Sequence, residues 1–473
     1  MMIPIQPKEL PPKKRAASFA EVVQLYSEEE ALKEAKRCLQ CKNPPCIAGC
    51  PVEIDIKKFI HQITQKDFKG AYLTIREKND FPSICGMVCP AEYQCRLACV
   101  LNKKGMPYAS EEAINIHFLE RFAGDYGIKH STKGKGLRIK KLKNKKVAVV
   151  GSGPAGLACA GELARQGVKV IIVESLHKTG GVLQYGIPPF RLPRDILDYE
   201  IDCLKDLGVE FKKNLIIGRT KPLQELFKEG FSAIFLGLGA GVPAFLGVEG
   251  ENLGNIYSAN EFLTRINLMS AYKFPEFHTP VNIGKQVVVI GGGNTAMDAA
   301  RCALRLQRMS GFKPDTTILY RRTETEMPAR RLEIGHAKEE GIKFEFLVQP
   351  TGFIGDDLGL VKKIKCLKCR LGEPDSSGRR SPVPIKGSDF EIECDLAVIA
   401  VGLKANQLLT AVTPGLKTDK YGNILVDKNM QTSLKRVFAG GDIVGGEGTV
   451  IEALGMGKRA ARAILKNLTN STS

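Results

Sequence analysis

The sequence predicts an α/β protein in which an N-terminal helical domain precedes two Rossmann-like nucleotide-binding domains, the second inserted into the first. Two glycine-rich turns predict the α/β domains: one lies between an apolar strand and a helical pattern at 147–174, and the other follows the strand at 286–290. Two groups of cysteines among helical patterns predict the separate N-terminal domain. The expected boundaries are 1–143 for the helical domain, 144–280 and 403–473 for the first nucleotide-binding domain, and 281–402 for the second.

Length and composition indicate an ordinary globular protein. The 473 residues suffice for about three domains, and a hydrophobic content of 43% supports packed cores. The chain has no run of roughly 18 apolar residues, and its N-terminus, MMIPIQPKELPPKKR, lacks the apolar core of a signal peptide. We therefore expect a soluble, cytoplasmic protein, in which clustered cysteines bind metal more often than they form disulfides.

The net charge of +18 is compatible with a nucleic acid, an acidic partner or anionic cofactors. The densest basic stretch, Lys133 to Lys146, has no interleaved aromatic residues of the kind that single-strand binders use for stacking. We interpret it as a solvated linker, with a docking surface as the alternative. We expect neither nucleic-acid nor membrane binding.

The N-terminal domain is expected to begin with an extended arm of about 20 residues, which is rich in Pro and Lys. A helix should start at Ser27, because Ser27-Glu28-Glu29-Glu30 fits a capping box. A later helical pattern covers 111–122. Between them lie eight cysteines in two groups: Cys38, Cys41, Cys46 and Cys50, then Cys85, Cys89, Cys95 and Cys99.

The cysteine spacing favours iron–sulfur clusters over zinc. Cys50 and Cys89 are each followed by proline, and ferredoxin-type cluster motifs combine Cys-x2-Cys with a final Cys-Pro. The spacing here follows that arrangement loosely. Zinc sites favour two separated Cys-x2-Cys pairs, and this region contains one. We predict two iron–sulfur clusters, with zinc as the alternative.

The first glycine turn has the residues of a dinucleotide site. Gly151 allows the tight turn, Gly153 lets the backbone approach a pyrophosphate, and Gly156 lets the helix pack close to the strand. Glu174 ends the second strand, 23 residues after Gly151, where an acid binds a ribose hydroxyl. The helix N-terminus at Pro154 and Ala155 is expected to face the phosphates.

Two further segments are expected to complete this site. Gly181 belongs to the loop GGVLQYGIP, which is too rich in glycine to be a core element. Near the C-terminus, the strand VFAGGD leads to a second helix start. The residues expected to serve the ribityl and isoalloxazine end of a flavin there are Gly441, Asp442, Thr449 and Val450.

The second glycine turn is predicted to bind NADPH. Its candidate residues are Gly291, Gly293, Asn294 and Thr295. The next strand ends in Arg321-Arg322 where an acid would accept from a free 2′-hydroxyl. Arginine at this position accommodates a 2′-phosphate. The alternative is that these arginines only cap a solvated strand end. The remaining Cys-x2-Cys pair, Cys366 and Cys369, is predicted to be structural.

Several motifs together make the chain resemble one flavoprotein superfamily over nearly its whole length. It resembles the small (beta) subunit of NADPH-dependent glutamate synthase, the N-terminal half of dihydropyrimidine dehydrogenase, and the large subunit of NADH-dependent ferredoxin–NADP oxidoreductases. The motifs that carry the resemblance are CLQCKNPPCIAGCP, CGMVCPAEYQC, GGVLQYGIPPFRLP, GGGNTAMD, YRRTETEMPARR and AGGD.

The resemblance implies FAD in the first nucleotide-binding domain, NADPH in the second, and an interleaved set of ligands for two 4Fe–4S clusters. One cluster (cluster I) would be held by Cys38, Cys41, Cys46 and Cys99. The other (cluster II) would be held by Cys50, Cys89, Cys95 and Glu120. Cys85 would be a spare thiol near cluster II, and it is also the alternative fourth ligand.

The resemblance further implies an electron-input subunit, in which FAD accepts a hydride from NADPH and the clusters pass electrons to a partner. No catalytic acid, base or nucleophile is nominated. The expected partner is a large catalytic subunit of glutamate synthase type, since the chain lacks an N-terminal cysteine nucleophile and room for an FMN barrel. The alternative is the NADP-binding subunit of an electron-bifurcating ferredoxin–NADP oxidoreductase, with a ferredoxin-reductase-type flavoprotein as partner. A non-enzymatic iron–sulfur scaffold would require inactive nucleotide sites, and the intact glycines argue against it.

Overall fold

The N-terminal domain is a bundle of short helices. The computed structural model describes residues 3–103, 105–130, 142, 144–445 and 448–470. The helices of this domain are α1 (Pro12–Arg15), α2 (Glu28–Ala35), α3 (Pro45–Ala48), α4 (Ile56–Thr64), α5 (Phe68–Arg76), α6 (Pro82–Val88) and α7 (Ile116–Lys129). The predicted capping box is confirmed, because Ser27 Oγ accepts from Glu30 N at 3.2 Å and the Glu30 carboxylate accepts from Ser27 N at 2.7 Å. The apolar faces of α4, α5 and α7 form the core of this domain.

Two expectations for this domain are wrong. The helix predicted at 111–122 begins only at Ile116, because Asn115 N donates to Glu34 Oε1 and its side-chain amide donates to Ile5 O, each at 2.9 Å. The arm is folded onto the protein instead of extended. Arg15 is buried and lies 3.3 Å from Glu340, and the arm adds apolar side chains to the core of the second nucleotide-binding domain.

The first nucleotide-binding domain is built on a parallel sheet. Its first part contains β1 (Lys146–Val150), α8 (Pro154–Arg165), β2 (Lys169–Val173), α9 (Val182–Tyr185), α10 (Arg194–Asp206), β3 (Glu210–Lys212), α11 (Leu223–Lys228), β4 (Ala233–Leu236) and β5 (Ala240–Pro243). Strand β1 is almost continuously apolar and buried, as a strand covered on both faces must be.

The second domain and the C-terminal segment follow. The remaining elements are β6 (Ile256–Ser258), α12 (Ala259–Asn267), β7 (Val287–Ile290), α13 (Asn294–Met309), β8 (Thr316–Tyr320), α14 (Arg331–Glu340), β9 (Lys343–Phe346), β10 (Val348–Gly355), β11 (Val361–Pro374), β12 (Arg380–Pro384), β13 (Phe390–Glu393), β14 (Leu396–Ile399), β15 (Leu403–Ala405), β16 (Val437–Ala439), α15 (Asp442–Gly445) and α16 (Val450–Asn470).

Sheet topology shows how the second domain is inserted. The first sheet has the strand order β16-β4-β1-β2-β3, so the C-terminal strand β16 returns to the sheet that β1 began. The second sheet has the order β6-β14-β7-β8-β9. Strand β6 pairs in parallel with β14, and the domain boundary expected at residue 281 is therefore too late. The short strands β5 and β15 pair antiparallel where the chain enters and leaves the inserted domain.

A ladder of β10, β11, β12 and β13 extends the second domain. The predicted structural cysteines, Cys366 and Cys369, lie buried on β11. No helix in the described part of the chain is both long and apolar enough to cross a membrane.

Buried ion pairs join the helical domain to the first nucleotide-binding domain. Asp80, just before α6, pairs with Arg165 of α8 and lies 3.5 Å from Lys458 of α16. Arg76 of α5 lies 2.9 Å from Glu200 of α10. Burial opposes ionisation of Asp80, but Arg165 and Lys458 lower the pKa of its carboxyl below the ordinary value. These contacts fix the cysteine-rich domain against α8, α10 and α16 of the first nucleotide-binding domain.

Candidate cofactor and metal sites

The first glycine turn has the shape that a pyrophosphate requires. Gly151 has φ +101°, and a Cβ there would stand 2.3 Å from Gly237 O. At Gly156 a Cβ would stand 2.0 Å from Gly151 O, so only glycine lets α8 begin so close to β1. A Cβ at Gly153 would meet nothing within 4 Å. The open space therefore lies at the N-terminus of α8, where free N–H groups favour an anion.

Glu174 lies beside this turn. Its carboxylate accepts from Ser152 N at 2.9 Å and from Ser152 Oγ at 2.5 Å. Leu176 N donates to its other oxygen at 2.9 Å. These bonds hold the buried carboxylate at the carboxyl end of β2, next to the opening at Gly153, which is the position that the prediction of a ribose contact requires.

The other segments predicted for the flavin also meet at this turn. Gly181 has φ +55°, and a Cβ there would stand 2.7 Å from Gly153 Cα. Gly441, with φ +80°, packs against Ala155, since its Cβ would lie 3.1 Å from that of Ala155. Asp442 follows as the first residue of α15. The structure thus brings α8, the Gly181 loop and the C-terminal segment together around one opening.

The start of α16 faces the cysteine-rich domain. Thr449 N donates to Glu452 Oε2 at 2.8 Å, and Glu452 N donates to Thr449 Oγ1 at 3.3 Å, which caps the helix before Val450. Gln94 Nε2 approaches Thr449 Oγ1 at 3.5 Å. Because Gln94 precedes Cys95, this contact joins the predicted flavin end of the site to a predicted ligand of cluster II.

The second glycine turn repeats the geometry of the first. Gly291 has φ +145°, and its Cβ would stand 2.3 Å from Ala400 O, whereas a Cβ at Gly293 would meet nothing within 4 Å. The opening again lies at a helix N-terminus, here that of α13. Thr295 is exposed there, while Asn294 Oδ1 accepts from Arg330 N at 2.9 Å. The turn therefore has room for a second pyrophosphate.

The two arginines predicted to bind the 2′-phosphate are not equivalent. Arg321 is exposed at the end of β8. Arg322 is buried, and its guanidinium donates to Asp375 Oδ2 at 2.5 Å and to Arg380 O at 2.7 Å. The Arg322 side chain is thus directed to the β11–β12 hairpin, and Arg321 alone presents its charge to solvent beside the turn.

The four cysteines assigned to cluster I line one cavity. Cys38, Cys41, Cys46 and Cys99 share it with apolar side chains that include Leu39 and Val100. Burial, together with the neighbouring Cys99 and Cys38, raises the pKa of the Cys46 thiol to about 12. A cationic group bound among these sulfurs would favour their thiolate form, so the donor set fits a cluster.

The residues assigned to cluster II are more deeply buried. Burial raises the pKa of the Cys50 thiol to about 12, and Glu120 and Cys89 add to the effect. Burial raises the pKa of Glu120 to about 8, and its Oε1 accepts from Asn79 Nδ2 at 2.7 Å. A buried carboxyl among thiols fits a site that a metal group supplies with positive charge.

Cys85 lies beside the same group of residues. Its sulfur approaches Asn79 Oδ1 at 3.6 Å. Its hydrogen bond with Cys89, together with burial, raises the pKa of Cys89 well above its usual value, and the nearby Arg330 charge opposes this shift. Glu120 and Cys85 both lie near Cys89, so both remain candidates for the fourth ligand of cluster II. Among the described residues, no three His, Cys, Asp or Glu side chains converge closely enough to hold a single metal ion.

Sequence reasoning missed the polar residues that connect these sites. Asn79 bonds to Glu120, Asp375 holds Arg322, and Arg330 reaches the cysteine-rich domain through Met87 O at 2.7 Å. Only Arg330 lay in a motif that the sequence marked, YRRTETEMPARR. Asn79 and Asp375 had no local signal, because their roles depend on contacts between distant segments.

Comparisons with known proteins match both halves of the chain. Residues 15–132 match the family described as dihydropyrimidine dehydrogenase domain II, 4Fe-4S cluster, and residues 145–457 match the pyridine nucleotide-disulphide oxidoreductase family. The chain is 34% identical to the NADPH glutamate synthase small chain of Escherichia coli strain K12 over 98% of this chain and 96% of that relative. It is 39% identical to the NADPH-Fe(3+) oxidoreductase subunit beta of Geobacter sulfurreducens over 89% of this chain and 63% of that relative.

A solved structure supports the fold. FprA from Mycobacterium tuberculosis, in complex with NADPH, superposes with a TM-score of 0.59 at 22% identity, over 69% of this chain and 85% of that one. The predicted fold class, a helical iron–sulfur domain followed by two Rossmann-like domains, is confirmed by these matches and by the sheet topology.

Proposed function

The chain belongs to the pyridine nucleotide-disulphide oxidoreductase family, in the group of NADPH glutamate synthase small chains, and we propose that it is the electron-input subunit of such an enzyme. It is an NADPH-dependent oxidoreductase with FAD- and NADP-binding domains and a 4Fe–4S domain. The proposal adds two clusters, an order of electron flow, and a large catalytic subunit as partner.

The observation that carries the proposal is the gradient of exposure across the cysteine-rich domain. Cys50 and Cys89, which are assigned to cluster II, are buried. Gln94, which follows Cys89 closely in the sequence, contacts Thr449 at the start of α16. Cys38 and Cys41, assigned to cluster I, are partly exposed. This gradient supports an arrangement in which cluster II would lie on the flavin side and cluster I toward the surface, where a partner would accept electrons.

The bound cofactors would supply the chemistry, which is hydride acceptance from NADPH by the flavin and one-electron transfer by the clusters. The chain contributes binding and geometry. The turns at Gly153 and Gly293 would hold the two pyrophosphates, and Arg321 would hold the 2′-phosphate of NADPH. The buried side chains of Ile56, Ile60 and Ile116 would limit the access of water to the inner side of cluster I.

The surface around cluster I indicates where a partner would accept electrons from the chain. The cavity of cluster I is bordered by Leu39, which is 62% exposed, and by Val100, which is 53% exposed, so a redox partner would reach it from this side. We propose a glutamate synthase large subunit as that partner, because the small chain of this enzyme matches nearly the full length of this protein.

The test begins with the purified chain. It should be yellow-brown, contain one FAD and about eight irons, and reduce artificial dyes with NADPH. Alone it should form no glutamate from glutamine, and with a large subunit it should. Zinc without acid-labile sulfide, or robust glutamate formation by the chain alone, would contradict the proposal.

Two cysteine variants sharpen this test. Cys41→Ser should reduce electron delivery to the large subunit much more than it reduces dye reduction, because dyes can accept electrons before cluster I. Cys369→Ser, at a buried thiol on β11, is the matched control and should retain both activities. An equal loss of both activities in Cys41→Ser would argue against cluster I as the exit.

A further inference from the structure

Arg330 is attached to the second glycine turn through its backbone. Arg330 N donates to Asn294 Oδ1 at 2.9 Å, and the preceding Ala329 N donates to Gly292 O at 3.2 Å. Asn294 is the first residue of α13, directly after the opening at Gly293. A nucleotide pyrophosphate in that opening would therefore lie against the residues that position Arg330.

The side chain of Arg330 reaches in the opposite direction, into the cysteine-rich domain. It is buried, with 1% exposed, and Nη1 donates to Met87 O at 2.7 Å. Its Nε lies 3.7 Å from Glu92 Oε1. Met87 lies between Cys85 and Cys89, and Glu92 lies between Cys89 and Cys95. The guanidinium thus contacts the segments on both sides of a predicted cluster II ligand.

Two neighbouring contacts strengthen this connection. Arg331 N donates to Glu92 Oε1 at 3.1 Å, and Tyr93 OH donates to Ala329 O at 3.3 Å. The segment 329–331 therefore bridges the nucleotide turn and the cluster II loop with hydrogen bonds at both ends. Ala329 and Arg330 are buried, so this bridge is a packed element in contact with both sites.

We propose that Arg330 is a positioning residue that raises the reduction potential of cluster II and couples this potential to nucleotide binding in the second domain. The inference rests on the proposed function, since it requires cluster II to be present. Reduction adds negative charge to a cluster, and a buried cation stabilises that charge because the interior screens it poorly. Burial and nearby charge are among the factors that set cluster potentials.

The nearby carboxylates do not change the sign of this effect. Glu333 lies 3.9 Å from Arg330 Nη1 but is paired more closely with Arg191, at 2.9 Å. Glu92 is the remaining counter-charge, and it is buried. Replacing Arg330 by a neutral residue would leave Glu92 with less compensation beside the cysteines. The substitution removes one positive charge, which stabilises the oxidised cluster, so the potential should fall.

Coupling to the nucleotide has a definite sign. A bound nucleotide brings phosphate charge to the turn that holds the Arg330 backbone, and this should lower the cluster II potential. By linkage, reduction of cluster II should weaken nucleotide binding by the same factor. The coupling should depend on Arg330, because its side chain and backbone connect the two sites.

The experiment is an EPR-monitored redox titration of the full FAD-loaded chain, with and without saturating NADP⁺, in wild type, Arg330→Gln, Arg330→Lys and Arg305→Gln. Arg305 is the matched control: it is also a fully buried arginine of the second domain, and it bonds to Glu340 and Ser18 O. The cluster II signal is identified as the one that Cys50→Ser removes.

In Arg330→Gln, the cluster II potential should fall while the cluster I and FAD potentials stay unchanged, and Arg330→Lys should recover most of the difference. NADP⁺ should lower the wild-type potential, and the shift should shrink in Arg330→Gln. Unchanged potentials in Arg330→Gln, an equal shift in Arg305→Gln, or no effect of NADP⁺ on wild type would overturn the inference. If Arg330→Gln does not fold, the Lys variant and the NADP⁺ titration of wild type still decide. Absence of two cluster signals from wild type would instead contradict the proposed function.

Discussion

Glu120→Ala is predicted to remove cluster II and to leave cluster I and the FAD in place. Glu120 is 6% exposed, and its one hydrogen bond among the described contacts comes from Asn79. Burial raises the pKa of this carboxyl from 4.5 to about 8. Since each pKa unit corresponds to roughly 1.4 kcal/mol, keeping Glu120 ionised costs the folded chain about 5 kcal/mol. An iron bound to the carboxylate would offset that cost by supplying positive charge.

The assay compares iron, acid-labile sulfide, FAD and the EPR spectrum of the reduced protein. Iron should fall from about eight to about four per chain, with one of two signals lost. Cys85→Ser should retain both signals, because Cys85 is then only a neighbouring thiol. Glu111→Ala, at an exposed carboxylate shortly before α7, is the matched control. If iron and both signals survive Glu120→Ala but one signal is lost in Cys85→Ser, the thiol is the ligand and the reasoning from Glu120 is wrong.

Three further predictions concern the nucleotide sites and the domain contacts. Arg321→Ala should raise KM for NADPH about 10-fold to 150-fold and KM for NADH little, because it removes a charge-assisted contact of roughly 1.5–3 kcal/mol. Arg322→Ala should raise KM for NADPH less, and equal effects on the two nucleotides in steady-state assays would contradict this. Gly153→Ala should fold, since its methyl group would meet no protein atom, but it should lose FAD, since that methyl group would stand in the opening predicted for the pyrophosphate. Gly156→Ala should destabilise the fold, since its Cβ would stand 2.0 Å from Gly151 O. Flavin content and circular dichroism separate the two variants, and retained FAD in Gly153→Ala would contradict the prediction. Asp80→Asn should lower the free energy of unfolding by about 3 kcal/mol, because it leaves Arg165 and Lys458 without their buried partner; a change within the error of denaturant titration would show that the pairs contribute little.

Local sequence patterns predicted the parts of the sites that local chemistry determines. A strand followed by Gly151, Gly153 and Gly156 can form few other structures, because positive φ and close helix packing require glycine. The same reasoning located the turn at Gly291. Each feature depends on residues close together in the chain, and each is present in the structure.

Contacts between distant segments could not be predicted in the same way. Strand β6 joins the second sheet because it pairs with β14, more than a hundred residues later in the sequence, and a boundary drawn from local composition misses this. Arg322 was predicted to bind a phosphate because it directly follows β8 in the sequence. The sequence does not show that its side chain pairs with a carboxylate on a distant hairpin. Asp375, which binds it, lies on a hairpin whose position depends on the folded sheet.

The same distant contacts fix how the three domains are arranged, and this arrangement matters for electron transfer. Helix α6 is held at its start, where Asp80 pairs with Arg165 of the first nucleotide-binding domain, and at its end, where Met87 O accepts from Arg330 of the second. Arg191 of the first domain also lies 2.6 Å from Asp298 of the second. Rotating the second domain would separate several of these buried pairs at once, so the contacts oppose that motion. We therefore expect nucleotide, flavin and cluster II to react in one fixed domain arrangement.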